Sequence, residues 1–131
     1  MKIARRKFVT YLTAAAASFV PGLVGPQGAS VMYGLIAKLT AIPGKRDELI
    51  AILKQGTKEM PGCLSYILAK DSLDENVIWV TEIWDSAASH DASLTLPSVK
   101  DAIGLGKPLI AGFEKVAVTN PVAGVGLPSS H

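Results

Sequence analysis

Three features of the sequence predict an α+β domain with a single antiparallel sheet. Four short runs are rich in β-branched, apolar and aromatic residues, and a hairpin-length polar loop joins the second run to the third. Helical spacing fills the stretches between the first and second runs and between the third and fourth. At 131 residues there is room for one such domain.

The first run, Val31 to Thr40, is bounded by Ala41-Ile42-Pro43-Gly44 and reads as a strand. From Lys45 to Lys58 the spacing becomes helical, with Leu49, Ile50 and Leu53 forming one stripe and charged residues on the other faces. Met60-Pro61-Gly62 stops this helix, because proline disfavours helical geometry in the residue ahead of it and glycine turns the chain. Cys63 to Lys70 is a second strand, with Cys63, Ser65 and Ile67 on one face and Leu64, Tyr66 and Leu68 on the other. Asp71 to Asn76 is the polar loop, and Val77 to Trp84 is a third strand antiparallel to the second. A short helix is expected over Ser86 to Leu94, a break at Pro97, a further helical turn over Ser98 to Gly104, and a last strand over Leu109 to Thr119. The Pro/Gly/Ser-rich residues 120–131 are expected to form a flexible tail or to drape over a partner.

The order strand, helix, strand, strand, helix or two, strand is the ferredoxin-like split βαβ pattern, in which helices cover one face of the sheet. The strands are apolar on both faces, as with Trp79, Thr81 and Ile83 against Ile78, Val80 and Trp84. The second face is therefore expected to be covered by another copy, giving a homodimer.

Residues 1–29 read as an export signal ahead of the domain at 30–119. A basic segment, MKIARRKF, precedes an uncharged alanine-rich stretch too short to cross a bilayer permanently, and then PGLVGPQGA. Arg5-Arg6 resembles a twin-arginine leader, the alternative being the basic start of an ordinary secretory signal. An exported, periplasmic protein is expected, with no stable membrane insertion once the signal is removed. The formal charge of +2 belongs to this leader. Without Lys2, Arg5, Arg6 and Lys7, nine cations face eleven acids and the charge becomes −2, which leaves no basic patch for nucleic acid. Cys63 is the single cysteine, expected as a buried thiol or an intermolecular link, and two histidines with one cysteine make no metal site.

Three segments, PGKRDEL (43–49), EMPGCLSY (59–66) and EIWDSAASHDAS (82–93), resemble the antibiotic biosynthesis monooxygenase family over about Met32 to Thr119. Members of that family form dimeric α/β barrels from two ferredoxin-like chains. The resemblance implies insertion of oxygen from O2 into an electron-rich aromatic such as a quinol or polyketide-like phenol, without metal, haem or flavin. A protein running that chemistry supplies a base, a few hydrogen bonds and a dry apolar cavity.

His90 is the candidate base. It falls about one turn into its helix on a stripe with Ala87 and Leu94, so the ring should face the sheet, and a nearby helix N-terminus would keep it neutral. The alternative is a structural histidine that locks helix to sheet. Trp84 joins it as a catalytic candidate, forming a pocket wall that stacks on a flat ligand, or else is ordinary core. Trp79, at odd spacing from Trp84, points to the opposite face. Tyr66 and Glu82 are the candidate substrate-binding residues. The Tyr66 hydroxyl either reaches substrate or wets itself at the rim. Glu82, a carboxylate inside a strand, needs a partner: the histidine, a substrate hydroxyl, or a lysine across the dimer.

Two rival functions share this pocket. Haem-degrading members of the fold use an asparagine early in the first strand, and VMYGLIAKLT contains none. A non-catalytic exported dimer that sequesters a small aromatic compound is the other.

Overall fold

The computed structural model describes residues 31–128. The expected export signal lies outside them, as do the last three residues of the tail. The elements are β1 (Tyr33–Ala41), α1 (Arg46–Gly56), β2 (Cys63–Lys70), β3 (Val77–Trp84), α2 (Ala87–Ser93), α3 (Pro97–Gly106), a 3₁₀ turn (Lys107–Leu109) and β4 (Ile110–Thr119). The strands form one sheet in the order β2-β3-β1-β4, and every neighbouring pair is antiparallel. This is the ferredoxin-like α+β arrangement expected from the sequence.

The register sorts the side chains of β1 and β3 into two faces. Tyr33, Leu35, Ala37 and Leu39 stand opposite Trp84, Glu82, Val80 and Ile78, and this set faces the helices. Ala37, Leu39, Ala41, Ile78 and Val80 are buried there against Leu49, the one residue of the α1 stripe that is fully enclosed. On the other face Ile36, Trp79, Thr81 and Ile83 are half-buried and Ile67 is 54% exposed.

Three local features determine how the helices lie on this sheet. Arg46 donates from its guanidinium to the Asp74 and Val77 carbonyls at 2.9 and 3.4 Å, tying the start of α1 to the β2–β3 loop. Gly56 lets α1 approach α3, because a Cβ there would collide with Ala102 and with the Ser98 carbonyl. Gly62, at φ +83°, turns the chain into β2, accepts from the Asp85 amide at 2.9 Å, and leaves no room for a side chain beside Ser89.

The structure departs from the sequence reading at three points. Pro97 opens a ten-residue helix instead of only breaking the pattern, since its fixed φ suits a first turn and its missing N–H costs nothing there. A bulge in β2 sets Cys63 opposite Trp84 and Ser65 opposite Ile83, so Cys63 shares the helix-side face with Tyr66 and not the face of Ser65. The thiol is half-buried, not enclosed, and burial pushes its pKa up. Beyond β4 the tail has a turn at 124–127, and Pro121 lies over Gly34.

Candidate active site

Between the helices and the sheet lies a cavity of about 550 Å³. Leu35, Ala37, Leu39 and Val80 form the apolar part of its sheet side, and its helix side includes Leu53, Val99 and Ala102. Glu82, Tyr66 and His90 reach into one end. Period-two alternation puts Glu82 there, between Val80 and Trp84 on the helix-side face. Tyr66 stands directly opposite Glu82 on β2. His90 is delivered by α2, whose Ser86 cap accepts from the Ser89 amide at 3.1 Å.

These groups form a connected set. The Trp84 indole N–H donates to Glu82 Oε2 at 2.8 Å, and His90 Nε2 lies 3.8 Å from the same oxygen. The His90 and Glu82 side chains are only 14% and 11% exposed. His90 Nδ1 lies 3.3 Å from Asp91 Oδ1 at the surface. The imidazole is held between two aromatic rings, with Tyr33 tilted at 4.9 Å and Trp84 edge-on at 5.6 Å. Ser93, buried one turn further on, donates to the His90 carbonyl at 2.6 Å and also lines the cavity.

Burial raises the Glu82 pKa above the ordinary carboxylate value, against the opposing pull of the Trp84 hydrogen bond and the His90 charge. Burial likewise pushes the Tyr66 phenol up, with the Glu82 and Cys63 charges adding to it, so the hydroxyl stays protonated and serves as a donor. A protonatable carboxylate beside an imidazole is a pair able to take a proton from a bound hydroxyl and hold it.

The structure brings His90, Glu82 and Tyr66 together but moves Trp84 to a different place. At 1% exposure Trp84 is behind the cavity wall and not in it, where it orients Glu82 and backs the imidazole. Of the readings open for Glu82, the histidine is the partner observed. The helical stripe also differs: Ala87 is exposed, and Ser93 follows His90 on the cavity side. Because α2 has seven residues, His90 sits in its last turn, so the helix-dipole argument for a neutral ring lapses. Sequence reasoning misses Tyr33 and Ser93. Tyr33 becomes visible only once β1 is set against β3, where it pairs with Trp84.

Among the described residues, no group of three His, Cys, Asp or Glu side chains could hold a metal ion. No described helix is long and apolar enough to cross a membrane.

The model of the antibiotic biosynthesis monooxygenase family matches residues 32–105. No curated protein matches the chain. A solved structure from Chloroflexus aurantiacus J-10-fl, named for the same family, is 59% identical, with a TM-score of 0.69 over 71% of this chain and 95% of that one. A structure from Caulobacter crescentus CB15 is 24% identical with a TM-score of 0.61, over 72% of this chain and 93% of that one, and supports the fold alone. The same holds for one from Nitrosomonas europaea, 11% identical with a TM-score of 0.66, over 71% and 92% of the two chains. The family match covers more than half of the sequence, including the segments 59–66 and 82–93 that contribute to the cavity, and the chain belongs to the antibiotic biosynthesis monooxygenase family.

Proposed function

We propose that this protein is a cofactor-independent monooxygenase that uses O2 on an electron-rich aromatic, a quinol or polyketide-like phenol. The observation that carries the reading is the convergence of His90, Glu82 and Tyr66 on one end of an apolar cavity large enough for a small polycyclic ligand. The His90–Glu82 pair removes the phenolic proton, and Tyr66 donates a hydrogen bond to the oxygen that becomes charged. The phenolate passes one electron to O2, and the radical pair recombines at ring carbon to give a hydroperoxide. The held proton completes that hydroperoxide, and cleavage of its O–O bond with loss of the hydrogen on the same ring carbon expels water and leaves the new quinone carbonyl. One oxygen atom of O2 enters the product and the other becomes water. The apolar walls hold the radical pair together and exclude solvent.

Export through the leader and assembly as a homodimer across the bare sheet face belong to the same reading. The apolar outer face, with Ile67 exposed and Trp79 half-buried, supports the second. Purified protein incubated with a panel of quinols under air and under nitrogen tests the function. An oxygenase consumes O2 in step with substrate, whereas a binding protein shifts ligand absorbance and consumes none. Absence of oxygen uptake across the panel would leave the sequestering role in its place.

A further inference from the structure

The end of the cavity away from His90 is cationic. Apart from Glu82, His90 and the Tyr66 phenol, the titratable side chains in its lining are Lys107 and Lys115, both exposed at their outer ends. Neither makes an ion pair among the described residues, whereas Lys45 and Lys70 pair with Glu48 and Asp47. Phe113, 62% exposed, and Ile103, 47% exposed, stand at the same mouth, so the lysines border an apolar opening and not a polar surface.

Lys115 owes its direction to an irregularity in β4. The register runs from Val118 opposite Leu35 and Ala117 opposite Ile36 to Lys115 opposite Ala37, which leaves Val116 as an extra residue. That bulge keeps Lys115 on the helix-side face together with Val118, where strict alternation from Val118 would have sent it to the outer face with Lys38. Its neighbour Glu114 is opposite Lys38 on that outer face and brings no negative charge to the mouth. Lys107 comes from the other wall, in the turn after α3, so the two cations face the opening from helix and sheet.

From these positions we infer that the substrate is an anionic aromatic, with a phenol at one end and a carboxylate or comparable anion at the other, the anion held by Lys115 and Lys107. The inference rests on the oxygenase reading for what happens at the phenol, but not for the binding itself. Glu82 on β3 and Lys115 on β4 are separated by β1, two strand spacings, or about 10 Å across the sheet. A span of that order is bridged by a fused-ring acid and not by a single ring. Recognition by two flexible ammonium groups at the rim fixes orientation, directing the phenol inward, and adds long-range attraction for an anionic ligand to a chain that is otherwise net negative without its leader. A lysine pointing inward from an edge strand also guards that edge against pairing, but a guard has no ligand preference.

The test compares a hydroxynaphthoate whose carboxylate is on the ring remote from the hydroxyl with its methyl ester. Binding to the full-length protein is followed by tryptophan fluorescence and oxygen uptake in the same samples. The acid should bind roughly five- to tenfold more tightly than the ester at low ionic strength, an advantage that shrinks at high salt. Lys115→Met and Lys107→Met should each reduce the acid-to-ester ratio, the double variant should bring it to about one, and Lys115→Glu should invert it. Equal affinity for acid and ester, no binding of either, or a ratio that survives the double variant would overturn the inference. A preference that behaves as described without oxygen uptake would keep the anion site and leave the oxygenase reading to the quinol panel.

Discussion

The two tryptophans of β3 make the same hydrogen bond with opposite consequences. Trp84 donates to Glu82 at 2.8 Å and Trp79 donates to Asp71 at 2.7 Å. Asp71 lies in the loop, accepts further hydrogen bonds from the Leu73 and Asp74 amides, and is held down to a pKa of about 2, chiefly by the indole. Glu82 receives the same donor but is enclosed by the cavity wall, and desolvation outweighs both the indole and the imidazole, so its pKa rises. The two indoles of the strand thus serve one carboxylate that stabilises the fold when charged and one that is costly to charge. A group kept at a cost is better explained by chemistry than by stability.

Replacing His90 with alanine gives the largest effect expected on that contrast. If the enclosed end is where protons move, turnover of a quinol should fall by about 10²- to 10⁴-fold, while the elution volume on gel filtration stays that of the parent. Rates that hold at the parental value would reassign the imidazole to a structural role. Next in size is the pair Glu82→Gln and Asp71→Asn. Glutamine keeps an acceptor for the Trp84 indole and removes the charge, so turnover should drop about tenfold while the fold becomes more stable by on the order of 1 kcal/mol, a few degrees in melting temperature. Asp71→Asn should lower the melting temperature and leave turnover alone. A Glu82→Gln variant that melts well below the parent would show that the ionised carboxylate is needed for folding.

Much of this contrast is legible in the sequence. Period-two alternation puts Glu82 and Trp84 on one face of β3 and Trp79 on the other, and helical spacing turns His90 toward the sheet. What the sequence conceals depends on register. Tyr33 meets His90 only because β1 pairs with β3 so that Tyr33 is opposite Trp84. The β2 and β4 bulges re-aim Cys63 and Lys115, and an extra residue in a strand leaves no signature in a run of apolar letters. Of the two readings of Trp84, pocket wall or ordinary core, the structure gives the core, for a related reason. Sharing a face with a pocket does not decide whether a side chain lines it or is sealed behind its neighbours, and here the His90 ring stands against it.

Trp84→Phe and Trp79→Phe extend the comparison to the donors. Phenylalanine in place of Trp84 removes the N–H from a buried acceptor and leaves a void beside Glu82, so a loss of about 2 to 3 kcal/mol is expected. In place of Trp79 it leaves an acceptor open to water, and the change in urea midpoint should be clearly smaller. Equal losses would mean that burial does not distinguish the two ends of the strand.

The smallest effect is the pH dependence of stability, where the two carboxylates act in opposite senses. Asp71 titrates near 3.8 when unfolded and near 2 when folded, so its contribution is complete above 3.8 and is lost as pH falls through 2. Glu82 titrates near 4.5 when unfolded and higher when folded, so below 4.5 it carries no penalty, and stability declines as pH rises from 4.5 through the raised value. The difference between parent and Glu82→Gln, measured by urea unfolding from about pH 4 upward, should be near zero at the acid end and grow in favour of the glutamine form as pH increases. The same difference for Asp71→Asn should be constant across that range and shrink only below about pH 4. A Glu82 difference that is flat from about pH 4 to about pH 8 would mean that the carboxylate is as well solvated in the fold as out of it. The cavity end would then carry no electrostatic tuning for proton transfer.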